Sequence, residues 1–401
     1  MNRVYCRMYQ GVLKLAMPFM PWRRPELLEG AGSLLRLPAL IRGLGLDRVL
    51  LVTGPVIASL GLPEPLLQGL AEEGIHCAVY AETVQNPTID NIEAALALYH
   101  AQRCQGIIAF GGGSPMDCAK GVGARLARPD RTIPEMKGIL RVRKPLPPLF
   151  AIPTTAGSGS ETTLAAVITD SRTHEKYALS DWPLIPHYAV LDPGLTAGLP
   201  PKVTATTGMD ALTHAVEAYI GRSNTKETRA MAREAVRLIF QNLEAVYADG
   251  SNLAARAGMQ RASFCAGVAF TRAYVGYVHA IAHSLGGRYN VPHGLANAVL
   301  LPHVLRRYGN AVRKPLAELA DLAGLSEAAD NAQQKSHRFI LAIDEMNARM
   351  GIPGEIAQIC PEDIPAMARR AAKEANPLYP VPRLMDADEL AEIYRLVMPS
   401  R

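Results

Sequence analysis

The second half of the chain carries two short stretches whose side chains are suited to hold a metal ion. Asp210 and His214 stand four residues apart, and so do His279 and His283, each pair within an apolar run of helical spacing. Side chains four residues apart project from one face of a helix, so each pair can converge on one point. His293 lies between a proline and a glycine, in a predicted turn that would bring a fifth side chain to the same place.

One carboxylate combined with several imidazoles is a mixed ligand set. Such a set suits Fe²⁺ or Zn²⁺ and fits calcium or magnesium poorly. Any one of these histidines alone is more often a packed or surface residue than a ligand. The shared helical spacing argues against that alternative for the group as a whole. The spacing therefore predicts a transition-metal centre and leaves five candidate ligands for it.

A glycine-rich loop in the first half predicts a site for nucleotide phosphates. An apolar run at 106–110 leads directly into Gly111-Gly112-Gly113-Ser114-Pro115, where glycine lets the backbone approach a ligand closely. The serine is predicted to cap the helix that follows, so that the N-terminus of this helix faces the loop. A tight structural turn is the alternative, and the Gly-x-Gly-x-x-Gly fingerprint is absent. A second loop of small residues at 154–160 favours a pyrophosphate cradle.

Strands and helices alternate in the first half, and helices alone follow. Short apolar runs, typical of strands buried on both faces, occur at 49–53, 77–80, 106–110, 149–153 and 189–192. The alternation predicts an α/β domain, 1–197, with a Rossmann-like parallel sheet that binds a dinucleotide. Runs at 167–170 and 176–179 predict a hairpin on that sheet. Helical spacing from Thr204 onward predicts an all-helical, metal-binding domain, 198–401.

Composition excludes several classes of function. The net charge of +5 is spread without a block of lysine and arginine, which argues against nucleic-acid binding. No apolar run is long enough to cross a bilayer, so we expect no membrane partner. The six cysteines are widely separated, as in a protein with free thiols in the cytoplasm. Residues before Pro25 are predicted to form an N-terminal arm, because Lys14 interrupts their apolar run and no cleavage site follows.

The metal stretches resemble the two signatures of the iron-containing, group III alcohol dehydrogenases, a family that includes lactaldehyde reductase and butanol dehydrogenases. These signatures lie at 208–215 and 279–294, and the resemblance extends from about Pro25 to Val397. It implies a dehydroquinate synthase-like architecture and a homodimer. It also implies that the metal ligands are Asp210, His214, His279 and His293. His283 would instead lie beside the nicotinamide and the substrate as a catalytic residue, a choice that spacing leaves open.

The resemblance also implies NAD(P) as the cofactor. In the family, a Gly-Gly-Gly-Ser-x-x-Asp stretch and a Pro-Thr-Thr-Ala-Gly-x-Gly-Ser-Glu stretch wrap a nicotinamide dinucleotide. The matching positions in this chain are Gly112, Gly113, Ser114, Asp117, Thr154, Thr155, Ser158 and Thr163. Asn86 and Lys176 are expected as two further contacts of the cofactor.

One expected cofactor contact departs from the family. Many members carry an aspartate where this chain has Gly54, and such a carboxylate binds the adenosine ribose of NAD and repels the extra phosphate of NADP. The glycine therefore predicts that NADP is accepted. The alternative is that another acid, such as Glu82, binds the ribose.

The implied activity is metal-dependent, reversible hydride transfer between an alcohol and NAD(P), with an aldehyde or ketone formed. Phe270 and its apolar neighbours favour a small or medium unbranched alcohol as the substrate. Arg272 replaces a small polar residue of the family and is expected to point away from the site.

Two other functions fit the same architecture. One is a lyase or polyol dehydrogenase of the dehydroquinate synthase or glycerol dehydrogenase type. A synthase should carry several basic residues around the ligands, where the sequence offers Arg288. The other is a non-catalytic metal-binding protein, which would be expected to have lost a ligand.

Overall fold

A computed structural model of the chain describes residues 2–172 and 175–399. The structure comprises two compact units, one formed by Pro21–Gly198 and the other by Met1–Met20 together with Leu199–Arg401. The sequence places the boundary near 197 but assigns the N-terminal arm to the first domain. The arm belongs to the second unit because Arg7 and Gln10 donate hydrogen bonds to backbone carbonyls between Pro377 and Pro382.

The α/β unit contains a six-stranded parallel sheet and a smaller three-stranded sheet. The strands are β1 (Glu26–Glu29), β2 (Arg48–Val52), β3 (His76–Tyr80), β4 (Gly106–Gly111), β5 (Gly138–Ile139), β6 (Leu149–Pro153), β7 (Ala165–Asp170), β8 (Glu175–Ser180) and β9 (Tyr188–Leu191). The large sheet has the order β1-β9-β6-β4-β2-β3, and the small one has the order β5-β8-β7.

Helices cover the sheet and make up most of the second unit. In chain order they are α1 (Arg3–Ala16), α2 (Leu37–Gly43), α3 (Pro55–Ser59), α4 (Glu64–Glu72), α5 (Ile89–Ala101), α6 (Gly113–Ala127), α7 (Pro201–Ile220), α8 (Lys226–Ala248), α9 (Leu253–Ala273), α10 (Tyr277–Tyr289), α11 (His293–Tyr308), α12 (Arg313–Leu322), α13 (Ala332–Arg349), α14 (Ile364–Ala375) and α15 (Ala387–Leu396). Among the residues that the structure describes, no helix is both long and apolar enough to cross a membrane.

The inner strands of the large sheet are buried on both faces, as their continuous apolar runs predict. Successive residues of a strand point to opposite faces, so Leu50 packs in the core formed with α5 and α6, while Leu51 packs in the core formed with α2 and α4. The same alternation separates Ile107 from Ile108 on β4. Parallel strands deliver their carboxyl ends, including Gly111 and Pro153, to one edge of the sheet. The glycine-rich loop and the loop at 154–160 therefore start side by side.

Three features of this unit differ from the sequence predictions. Strand β1 was not predicted, because its exposed outer residues lack the apolar run of a central strand, and it pairs with β9 at the sheet edge. The hairpin of β7 and β8 forms its own sheet with β5 instead of joining the large one. Ser114 does not cap α6: the cap residue is Gly112, and the Ser114 hydroxyl accepts a hydrogen bond from the backbone N–H of Asn86.

Candidate metal centre

Four predicted ligands converge within the helical unit. Asp210 and His214 lie one turn apart on α7, His279 lies on α10, and His293 is the first residue of α11. One ligand atom from each lies within 4.8 Å of the others. Asp210, His214 and His279 are at most 5% exposed, whereas the His293 side chain is 41% exposed. The arrangement is a buried pocket of donor atoms that is open on the side of His293.

A glycine lets the α11 N-terminus approach α7. A Cβ atom at Gly294 would lie 2.4 Å from the backbone carbonyl oxygen of Thr206, which is closer than any side chain tolerates. With glycine there, His293 Nε2 comes within 3.5 Å of Asp210 Oδ1. The turn predicted around His293 was wrong, because Pro292 caps α11 and His293 is the first residue of that helix. The helix start nevertheless brings the fifth candidate to the cluster.

Asn297, which the sequence analysis missed, sits in the middle of the ligand atoms. Its side-chain nitrogen donates to Asp210 Oδ1 at 2.7 Å, and it lies 3.2 Å from His279 Nε2 and 3.1 Å from His293 Nε2. An amide nitrogen carries two hydrogens, so three acceptors directed at it are more than it can satisfy. The available signal was its position one helical turn after His293.

Glu217 was also missed, although it follows His214 by one turn on α7. Its carboxylate accepts hydrogen bonds from the backbone N–H groups of Gly276 and Val278 at 2.8 and 2.9 Å. His279 Nδ1 donates to the same carboxylate at 2.6 Å. This bond fixes the tautomer of His279 and leaves its Nε2 lone pair directed at the cluster. Burial raises the pKa of Glu217 to about 7, and the backbone hydrogen bonds oppose that rise.

The electrostatics of the cluster suit a cation. Burial, followed by the neighbouring His214 and His293, lowers the pKa of His279 well below its ordinary value. The imidazole is therefore neutral at pH 7, which is the form that binds metals. The cluster consists of three imidazoles and one carboxylate, and no cationic side chain among the described residues lies between them. This donor set fits Fe²⁺ or Zn²⁺.

His283 lies beside the cluster but outside the group of converging ligand atoms. Its Nδ1 donates to Glu374 Oε1 at 2.7 Å, and its ring stacks on that of His293 with 5.3 Å between centroids. The Tyr379 hydroxyl donates to the same Glu374 oxygen at 2.9 Å. The His283 side chain is 40% exposed, so it is accessible at the open side of the site.

Phe270 forms an apolar wall against the cluster. Its ring stacks on His214 with 4.1 Å between centroids and an interplanar angle of 14°. Arg272, two residues later, forms an ion pair with Glu227, on the side of α9 away from Phe270. Arg288 pairs with Asp363 at 2.9 Å. Both arginines are thus engaged in ion pairs with acidic side chains.

In the α/β unit, the two predicted cofactor loops face each other. A Cβ atom built on Gly112 would lie 3.4 Å from the Thr155 hydroxyl, and one on Gly113 would lie 3.7 Å from the Ser158 hydroxyl. Gly111 has a φ of +147°, a conformation that favours glycine. Nearby, the Lys176 ammonium donates to the Asn86 amide oxygen at 2.6 Å. The structure brings these residues to one edge of the sheet.

Lys120 anchors the C-terminal end of the loop at 154–160 and the residues that follow it. Its ammonium is completely buried and donates to the backbone carbonyls of Ser160, Thr163 and Ala165 at 2.7 to 2.9 Å. It also donates to the Thr163 hydroxyl at 2.8 Å, so this predicted cofactor contact is directed at Lys120. Burial lowers the pKa of Lys120 and raises that of the neighbouring Asp117. No sequence pattern pointed to this lysine, because it lies within the apolar run of α6.

Gly54 leaves the end of β2 without a carboxylate. Its φ of −106° is open to any residue, and a Cβ atom there would lie 3.1 Å from the Thr83 carbonyl oxygen. The exposed Glu82 precedes Thr83 directly. The glycine and the alternative acid therefore lie next to each other at the sheet edge.

The fold and the cluster together define an α/β unit joined to a helical unit that carries a candidate metal centre. Residues 25–193 match the iron-containing alcohol dehydrogenase family, and residues 204–398 match the C-terminal domain of that family. The chain belongs to this family and is an oxidoreductase that acts on alcohols. The family match confirms the predicted family, fold class and type of enzyme.

Individual relatives are similar over nearly their whole length. The chain is 40% identical to the 1,3-propanediol dehydrogenase of Klebsiella pneumoniae over 356 residues, which cover 88% of this chain and 92% of that protein. It is 34% identical to the NAD-dependent methanol dehydrogenase of Bacillus methanolicus, over 92% of this chain and 97% of that one. The solved alcohol dehydrogenase from Oenococcus oeni superimposes with a TM-score of 0.90 at 35% identity, over 93% and 98% of the two chains.

Proposed function

We propose that this enzyme interconverts a short primary alcohol and its aldehyde with NAD(P), using Fe²⁺ or Zn²⁺ held by Asp210, His214, His279 and His293. The observation that carries the proposal is the convergence of these four ligand atoms within 4.8 Å. A divalent ion at this site would supply the positive charge that lowers the pKa of an alcohol hydroxyl.

The protein residues around the cluster have separate tasks. Glu217 holds His279 in the tautomer that presents Nε2, while Asn297 orients Asp210. His283 takes up the hydroxyl proton at Nε2 while its Nδ1 stays bonded to Glu374. Phe270 excludes water from one side and presents an apolar surface to the carbon chain of the substrate.

The cofactor is proposed to bind in the α/β unit. Gly112, Gly113 and Ser114 approach its phosphates together with Thr154, Thr155 and Ser158, and Asp117, Thr163 and Lys120 hold the loops in shape. Asn86 and Lys176 line the same edge. A nicotinamide dinucleotide there would supply the hydride acceptor. NAD is the cofactor named for the Bacillus methanolicus relative, and Gly54 extends the proposal to NADP.

The substrate class follows from the site and from the relatives. Phe270 favours an unbranched carbon chain, and the relatives are named for 1,3-propanediol and methanol. A phosphorylated acid fits poorly because Arg288 is paired with Asp363. We therefore propose short primary alcohols and diols as substrates, in a homodimeric enzyme of the cytoplasm, where its free cysteines stay reduced.

A substrate panel tests this function. The protein, loaded anaerobically with Fe²⁺ or separately with Zn²⁺, is mixed with 1-butanol, 1,3-propanediol or glycerol and either NAD or NADP. The absorbance of the reduced cofactor should rise fastest with butanol or propanediol. No turnover with any alcohol, or turnover that is unchanged after removal of metal by a chelator, would contradict the proposal.

A further inference from the structure

An apolar line runs along the solvent-facing side of α1, which also exposes Arg3, Val4 and Lys14. The side chains of this line are Tyr5, Met8, Val12, Leu15 and, in the 3-10 turn that follows, Phe19, with exposures of 54%, 64%, 66%, 75% and 89%. They follow one another at intervals of three, four, three and four residues. We call these five residues the seam. Such large apolar groups along one line of a helix are costly to leave in water.

The opposite side of α1 is fixed to the helical unit. Cys6 is 3% exposed and Gln10 is 5% exposed. The Arg7 guanidinium donates to the carbonyls of Val381 and Pro382 at 2.8 and 3.0 Å, and the Gln10 amide donates to two further carbonyls at 2.7 and 3.1 Å. These bonds hold the rotation of α1, so the seam cannot turn inward.

The spacing of the seam is that of a coiled coil. Alternating intervals of three and four residues define the a and d positions, which contact a partner helix, while b, c and f normally face water. In α1 this is reversed, because Cys6, Arg7 and Gln10 occupy b, c and f and contact the protein's own body. The a and d positions are thereby left for a second helix that is not part of the same chain.

We infer that a second copy of this chain covers the seam, with two α1 helices pairing about a two-fold axis. A like surface is the fitting partner because the seam carries no charge of either sign. Gly11 borders the seam and has open space around it, which allows two helices to approach closely. Five exposed side chains of roughly 100 Å² each, counted on both copies, bury on the order of 1,000 Å², which is at the lower end for a specific interface.

A membrane surface is the less fitting partner. Helices that lie on anionic lipid carry free lysines and arginines beside the apolar face. Here Arg3 pairs with Glu389 at 3.6 Å and Arg7 is occupied by carbonyls. Lys14 is the remaining cation among the described residues of α1. The segment also lies ahead of residue 25, where the match to the family begins, so the inference stands apart from the proposed catalytic function.

Mass measurement tests the pairing. The full-length protein should form an assembly with an even number of subunits, and Val12→Glu should halve its mass in sedimentation velocity. Leu396→Glu is the matched control, since Leu396 is 60% exposed against 66% for Val12, and it should keep the original mass. Equal masses for the two variants, or a monomeric original protein, would overturn the inference. Turnover per subunit, unchanged in Val12→Glu, shows that the variant is folded.

Cross-linking gives a second, independent readout. In a background in which the exposed Cys360 is replaced by serine, Val12→Cys should form a disulfide-linked pair under mild oxidation, whereas Leu396→Cys should not. Equal cross-linking of the two variants would overturn the inference. A lipid-binding result would also overturn the inference. In that case the original protein would float with phosphatidylglycerol vesicles, and Val12→Glu would abolish the flotation without changing the mass of the assembly.

Discussion

His279 Nδ1 donates a hydrogen bond to the buried carboxylate of Glu217 at 2.6 Å, and that carboxylate also accepts the backbone N–H groups of Gly276 and Val278. Three donors therefore converge on two oxygens in a site closed to water. The pair sets the orientation of the most buried histidine of the cluster. A Cβ atom at Gly276 would lie 2.6 Å from a Glu217 oxygen, so this glycine is required for the approach.

The first prediction concerns this carboxylate. Glu217→Gln should weaken metal binding by roughly 10- to 100-fold, the usual effect of removing a partner of a ligating histidine. The reason is that an amide has one acceptor oxygen for three donors and turns its N–H₂ group toward one of them. Competition with a chromophoric chelator measures the affinity. Glu244→Gln, which alters an exposed carboxylate paired with Arg349, serves as the control, and equal affinities in the two variants would show that Glu217 plays no part.

The second prediction separates proton handling from metal binding. His283→Ala and Glu374→Gln should both retain metal and both lower kcat, by roughly 100-fold for the histidine, a typical contribution of general acid–base catalysis. Glu374→Gln should have the smaller effect because glutamine can still accept from Nδ1 but no longer stabilises a charged imidazole. Steady-state kinetics across pH gives the answer. A change in KM alone, with kcat and its pH profile intact, would remove His283 from the proton path.

The third prediction concerns Lys120. Lys120→Met should lower the free energy of unfolding by about 3–5 kcal/mol, because it strips the cation from a buried site that also holds Asp117 and Glu161. It should also raise the KM for the cofactor, since the loop at 154–163 loses its anchor. Urea denaturation and cofactor titration measure the two effects. Lys137→Met, at an exposed lysine paired with Glu175, should change neither value. A fully stable Lys120→Met protein would refute the anchoring role.

The fourth prediction concerns the choice of cofactor. The original enzyme should use NADP. Its kcat/KM for NAD should exceed its kcat/KM for NADP by less than a hundredfold. Gly54→Asp should shift the ratio toward NAD, because its carboxylate would repel the extra phosphate of NADP. A Cβ atom at this position would lie 3.1 Å from the Thr83 carbonyl oxygen, so Gly54→Ala is needed to separate the steric effect from the charge. A preference for NAD of a hundredfold or more in the original enzyme would indicate that Glu82 binds the ribose instead.

The sequence predicts features that depend on local spacing. Helical periodicity places Asp210 and His214 on one face. The four inner strands β2, β4, β6 and β9 appear as apolar runs because they are buried on both sides. Local spacing does not predict Glu217 or Asn297. Glu217 acts through a contact with α10 and Asn297 through a contact with α7, and both contacts join residues that are distant in sequence. The predicted Ser114 cap was wrong because α6 already begins at Gly113, which places Ser114 inside the first turn. Strand β1 was missed because an edge strand exposes its outer residues.

The metal content of two variants on the same helix distinguishes a metal ligand from the histidine beside the cluster. His279→Ala and His283→Ala are purified in parallel with the original protein, loaded with Fe²⁺ or Zn²⁺, desalted and analysed by elemental mass spectrometry. We expect one equivalent of metal in the original protein and in His283→Ala, and a large loss of bound metal in His279→Ala. Retention of a full equivalent by His279→Ala, or its loss from His283→Ala, would contradict the assignment of the ligands.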